Sequence, residues 1–169
     1  MKLTLDRICL STNDLCLKCS KKLKNGEVTK VDIEVGKVII QSAKQYRFLN
    51  SISLEKIITT SNAVYLLVKP GDKEKMLQAG YVFLNMLSDT VGTEVVFIEK
   101  IKNTRKFIES LIAPVEIINM TTVFIPPSGD KEIKIQLKEA DRKKIKISAK
   151  ELSEIMTPLY GYGAHYYFS

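Results

Sequence analysis

Apolar side chains recur along this chain at two spacings that alternate. Over residues 29–48, Val31, Val35, Val38, Ile39, Ala43 and Tyr46 fall at helical spacing, which predicts a helix in spite of Gly36 and several β-branched residues. "EKIITTSNAVYLLVK" (55–69) then reads as two strands joined at Ser61-Asn62. "PGD" (70–72) is a turn leading into a short helix, "KEKMLQ"; "YVFLNMLSDT" (81–90) is a second helix that ends near Gly92, and "TEVVFIEK" is a strand.

The same order then begins again. "NTRKFIESLIAP" has a helix start at Asn103 or Thr104 and a stop at Pro114. "VEIINMTTVFIP" and "KEIKIQLK" are strands around "PSGD"; in the second, Ile133, Ile135 and Leu137 alternate with Lys134, Gln136 and Lys138, as a half-buried strand requires. "EADRKK" is a short helical turn. Ser148 and Glu151 have the spacing of a capping box opening "AKELSEIMTPLY", and "AHYYF" is the closing strand. The order helix–strand–strand–helix–helix–strand thus occurs twice, over 29–101 and 102–169, behind an N-terminal segment, 1–28, that ends at the turn Asn25-Gly26. Repeated units of this kind are α+β, with helices covering one face of each small sheet.

Charge changes the picture more than composition does. Lys and Arg number 26 against 19 Asp and Glu, a net charge of +7, and such an excess favours a polyanionic partner through counterion release. No apolar run approaches the roughly 18–20 residues that span a bilayer, and "MKLTLDRICLSTND" meets acids too early for a signal peptide. All three cysteines, Cys9, Cys16 and Cys19, lie in the N-terminal segment. An odd number makes no disulfide framework, so the expectation is a reduced, cytoplasmic protein. The tight pair Cys16-x-x-Cys19 is half of a tetrahedral zinc pattern.

"CLSTNDLCLKCSKKLKNGEVT" and "FIESLIAPVEIINMTTVFIP" carry a resemblance. Together with the α-β-β-α-α-β order of a type II KH unit, they resemble the tandem-KH, NusA-like proteins of archaea, in particular a branch with a four-cysteine knuckle ahead of the first KH unit. The resemblance implies two tandem type II KH-like units behind a small zinc-knuckle-like segment. It further implies RNA binding in archaeal transcription elongation or termination, or in translation. The alternative is a diverged KH scaffold that contacts RNA polymerase or the ribosome through protein surfaces. Asp6 stands where that branch has its first cysteine, so the implied zinc ligands are Asp6, Cys9, Cys16 and Cys19; a knuckle of three reduced cysteines without metal is the other outcome.

KH units grip single-stranded RNA with a GxxG loop between adjacent helices. Here that loop aligns with "QAGY", and Gln78 and Tyr81 replace both framing glycines, putting side chains where phosphate would lie. The second unit has no GxxG. The residues expected to contact RNA are Lys69, Lys73, Lys75 and Gly80 in the first unit and Arg142, Lys143, Lys144 and Lys146 in the second; the plainer reading of the lysines is a solvated face. Catalysis has no support: no P-loop or nucleophile elbow is present, and the only histidine, His165, is expected to pack half-buried in the last strand.

Overall fold

The computed structural model describes residues 1–127 and 129–169 and divides into two compact units, Met1–Lys100 and Ile101–Ser169. The protein is α+β, with a three-stranded sheet in each unit. No helix among the described residues is long and apolar enough to cross a membrane.

The first unit opens with two short helices, α1 (Arg7–Thr12) and α2 (Leu17–Lys24), followed by the long helix α3 (Lys30–Gln45) and a 3₁₀ turn, Arg47–Ser51. The sequence pattern runs the long helix to residue 48; it stops at Gln45 because the chain tightens into that turn. At its start the buried Asp32 carboxylate accepts both the N–H (2.8 Å) and the hydroxyl (3.1 Å) of Thr29, satisfying groups the helix itself leaves open. Then come β1 (Leu54–Thr59), β2 (Ala63–Val68), α4 (Asp72–Gln78), α5 (Gly80–Val91) and β3 (Glu94–Glu99). β2 is central, antiparallel to β1 and parallel to β3, and all six of its residues are buried. That is why "AVYLLV" has no polar alternation. Val64, Leu66 and Val68 face a core built from Val35, Ile39, Leu49, Leu54, Met76, Phe83, Leu87 and Phe97.

The N-terminal helices belong to this unit. Leu5, Cys9, Leu10, Cys19 and Val28 form a second apolar cluster with Ile40 of α3. Gly36, an odd residue mid-helix, is where they meet: a Cβ there would lie 2.7 Å from Leu10 Cδ1. A side chain at position 36 would displace the end of Leu10.

The second unit repeats the topology. Helix α6 (Thr104–Ile112), β4 (Ile117–Ile125), β5 (Asp130–Leu137), a 3₁₀ turn (Glu139–Asp141), α7 (Ala149–Tyr160) and β6 (Gly163–Phe168) follow in order. β5 is central, antiparallel to β4 and parallel to β6. Asn103 and Ser148 cap α6 and α7 by accepting the N–H of Lys106 (3.0 Å) and Glu151 (3.2 Å). In both units the helix before the parallel strand ends on a left-handed glycine, Gly92 (φ 74°) and Gly161 (φ 79°), so "FLNMLSDTVGTEVVFI" and "ELSEIMTPLYGYGAHYYF" share an order of apolar helix, glycine and apolar strand.

The Leu10–Gly36 contact gives a stability prediction. Gly36→Ala gains about 1 kcal/mol of helix propensity but displaces a packed leucine, and Leu10→Ala leaves a cavity worth about 2–4 kcal/mol. The double variant should therefore lose less stability than Leu10→Ala alone, because the new methyl enters the vacated space. Urea denaturation of the three variants checks this; strict additivity would show that α1 does not pack on Gly36.

Candidate metal centre and basic surfaces

Helices α1 and α2 bring the three cysteines together. Their Sγ atoms all lie within 4.8 Å of one another, with Cys9 and Cys19 buried and Cys16 exposed. Backbone donors hold two of the sulfurs: the Cys16 N–H points at Cys9 Sγ (3.3 Å) and the Asp6 N–H at Cys19 Sγ (3.4 Å). That Cys16 N–H pulls the Cys9 thiol down, but burial and the two neighbouring thiols outweigh it, and Cys9 sits above the ordinary thiol pKa. Cys16 moves the other way. The N–H of Cys19, in the first turn of α2, and the thiols of Cys9 and Cys19 hold it below the ordinary value. One thiolate-prone sulfur beside two buried ones is a donor set suited to a soft divalent metal.

Asp6 does not join them. Its carboxylate is the N-cap of α1, with Oδ1 accepting the Ile8 N–H at 2.8 Å, and it lies outside the cluster of mutually close donor atoms. Of the four expected ligands, the three sulfurs lie together and the Asp6 carboxylate is not in that group. A short acidic residue before a helix serves as cap and as ligand equally well in sequence, and here capping prevails.

The first-unit residues expected to contact RNA fall at opposite ends of α4. Lys69 and Lys73 lie about its N-terminus, Lys75 in its last turn reaches back to Asp72, and Gly80 stands beyond its C-terminus, where the chain turns into α5 with φ 79° and open space beside it. The N-terminal end is already served by carboxylates. Buried Asp72 accepts the Ser53 N–H (2.8 Å) and pairs with Lys75 (2.7 Å), while Glu99 Oε1 from β3 accepts the N–H of Gly71 (2.8 Å) and Lys73 (3.3 Å). Burial works against ionising Asp72, but the Lys75 ammonium, the Ser53 N–H and the charge of Lys69 prevail and hold its pKa below the ordinary value. Sequence reasoning missed Asp72 and Glu99. The signal available was an acidic residue directly after Pro70-Gly71, the place for a first-turn carboxylate. At the other end of α4, Leu77, Tyr81 and Val82 are exposed, Tyr81 by 83%.

In the second unit, pairing divides the basic cluster. Arg142 forms a two-pronged ion pair with Glu139 (2.6 and 2.8 Å) and lies 4.5 Å from the Phe168 ring centroid; Lys144 pairs with Asp141 (2.7 Å). These contacts lower the Glu139 pKa and raise those of Arg142 and Lys144. Lys143 and Lys146 are exposed and have no carboxylate partner among the described residues, nor have Lys134 and Lys138. His165 is exposed, contrary to the half-buried packing expected of it, and bonds Glu132 at 2.8 Å. In β6 it is Ala164 that turns into the core, so its neighbour faces out.

Asp72 supplies a pH test. Its folded pKa is depressed, so its contribution to stability is complete at neutral pH. That contribution is lost as pH falls below the ordinary carboxylate value of 3.8 and through the folded value. Asp72→Asn should cost about 1–3 kcal/mol at pH 7, and the difference from wild type should shrink under acid; denaturation curves at pH 7 and pH 3 measure it. A difference independent of pH would assign the loss to packing.

No protein-family model matches the sequence, and no curated protein matches it. In fold the chain is similar to the crystal structure of APE1850, at 15% identity, covering 77% of this chain and 96% of that one with a TM-score of 0.55. At that identity the likeness is one of fold alone.

Proposed function

We propose that the protein is a non-catalytic, cytoplasmic RNA-binding factor built from two type II KH-like units, of the archaeal NusA-like kind that its sequence resembles, with an N-terminal cluster that holds one zinc ion. The observation that carries this reading is the shared topology of the two units. In each, a helix precedes an antiparallel strand pair, and a helical connection brings the last strand in parallel beside the second. In the first unit that connection is a helical hairpin turning on Gly80, the place of an RNA-gripping loop. The unpaired Lys143 and Lys146 supply phosphate contacts, whereas Arg142 and Lys144 are largely consumed by acids. Since Gln78 and Tyr81 stand in place of the two glycines that frame an RNA-gripping loop, binding is electrostatic and shows little base preference.

A specific observation favours a second reading. Leu77, Tyr81 and Val82 make an exposed apolar surface at the same hairpin, which suits a protein contact with a polymerase or ribosomal partner.

Titration of labelled single-stranded RNA at several salt concentrations separates the two. Lys143→Glu with Lys146→Glu should weaken binding by about tenfold or more and flatten the salt slope by about 1.4, at roughly 0.7 per lost contact. Arg142→Glu with Lys144→Glu should do less. Gln78→Gly with Tyr81→Gly should strengthen binding by opening the loop. Absence of binding by wild type and by the double-glycine variant would leave the protein-contact reading.

A further inference from the structure

We infer that the cysteine cluster is an open metal site: Cys9, Cys16 and Cys19 supply three ligands, and the fourth is a thiolate from outside the chain. The inference rests on the zinc reading above and goes beyond it by stating how the coordination is completed.

Four observations lead there. The group of close donor atoms holds three sulfurs and no carboxylate or imidazole among the described residues. The one residue that spacing offered as a fourth ligand, Asp6, is tied to the Ile8 N–H as the cap of α1. Tetrahedral zinc bound by three protein ligands keeps a position for an exogenous group, unlike the closed sites that serve folding alone. The opening is on the solvent side, since Cys16 is exposed while Cys9 and Cys19 are buried.

The surroundings choose the class of ligand. Ile8 and Leu17, the chain neighbours of Cys9 and Cys16, are exposed by 73% and 84%, so the two helices that carry the cysteines also carry exposed apolar side chains. Helix α2 carries Lys18, Lys21, Lys22 and Lys24 and no acid. Three thiolates around a divalent ion carry a net charge of –1 and a fourth makes –2, a charge that this lysine-rich helix offsets and that neutral imidazole would not bring. A soft, anionic ligand fits on both counts. In the exchange the incoming thiol gives its proton to buffer, its sulfur bonds the metal, and solvent leaves; no electron moves.

The test uses the full-length, reduced protein loaded with Co²⁺, whose absorption reports the number of sulfur ligands. One cobalt per chain should give a three-sulfur spectrum. Adding 2-mercaptoethanol should raise the sulfur-to-metal charge-transfer band by about a third, as three bonds become four, whereas imidazole at the same concentration should not. Asp6→Ser keeps the helix cap and removes the carboxylate, and it should leave the spectrum and the thiol response unchanged. A blocked cysteine flanked by apolar residues in a short peptide distinguishes the source. Saturation at lower concentration than 2-mercaptoethanol, lost in Ile8→Ser with Leu17→Ser, would assign the ligand to a protein partner; equal saturation would assign it to a small thiol. A spectrum unmoved by either thiol, altered by Asp6→Ser, or moved more by imidazole would overturn the open thiolate site while leaving zinc binding standing. No cobalt bound at all would overturn the zinc reading as well.

Discussion

Helix α3 has to bury two faces at once, and the first unit is arranged around that demand. Val35, Val38, Ile39 and Ala43 face the sheet core, while Ile40 and the bare surface at Gly36 face the cysteine-bearing helices. A helix with apolar residues on both sides is unstable in water alone. The N-terminal segment supplies the missing cover, so the cysteine cluster is part of the wall of this unit rather than a loose appendage. The distances between the sulfurs are set by packing of Leu5, Leu10 and Val28 as well as by any ion they hold.

Most of the fold was legible because its signals are local and redundant. The alternation of Ile133, Ile135 and Leu137, the turn at Ser61-Asn62, the caps at Asn103 and Ser148 and the glycines at 92 and 161 each give independent physical reasons for one element. What escaped was decided by competition for a single residue. Asp6 could cap or ligate, and in the structure its carboxylate accepts the Ile8 N–H as a cap. In "AHYYF" every residue is apolar or amphipathic, so nothing in the string says which parity faces the core, and His165 falls outside. The two N-terminal helices are too short for periodicity to register.

Charge counting suffered in the same way. Eight basic residues between Lys131 and Lys150 suggest a uniform patch, yet Arg142 and Lys144 answer acids three residues earlier, and Lys150 approaches Glu154. Exposed pairs of this kind add little to stability, but they reduce the field a polyanion meets. The cations left without a carboxylate partner among the described residues are Lys131, which lies over the Tyr162 ring, and Lys134, Lys138, Lys143 and Lys146, a smaller and more specific set than composition proposes. Around α4 the bias runs the other way, since Asp72 and Glu99 occupy the helix end that would otherwise attract phosphate.

The hydrogen bonds at Ser53 bear on how the chain reaches this arrangement. Its N–H goes to Asp72 and its carbonyl to the Lys69 N–H, so β1, β2 and the entry to α4 close on themselves within about twenty residues. The third strand has no such local route. It must be carried across α4 and α5 before it can lie parallel beside β2, and β6 must likewise wait for α7. Contacts of short separation form sooner than those that enclose a long loop. Each unit therefore has a natural order of assembly, a hairpin first and a docked strand last, and the left-handed glycine before that strand is the point at which the final turn is made.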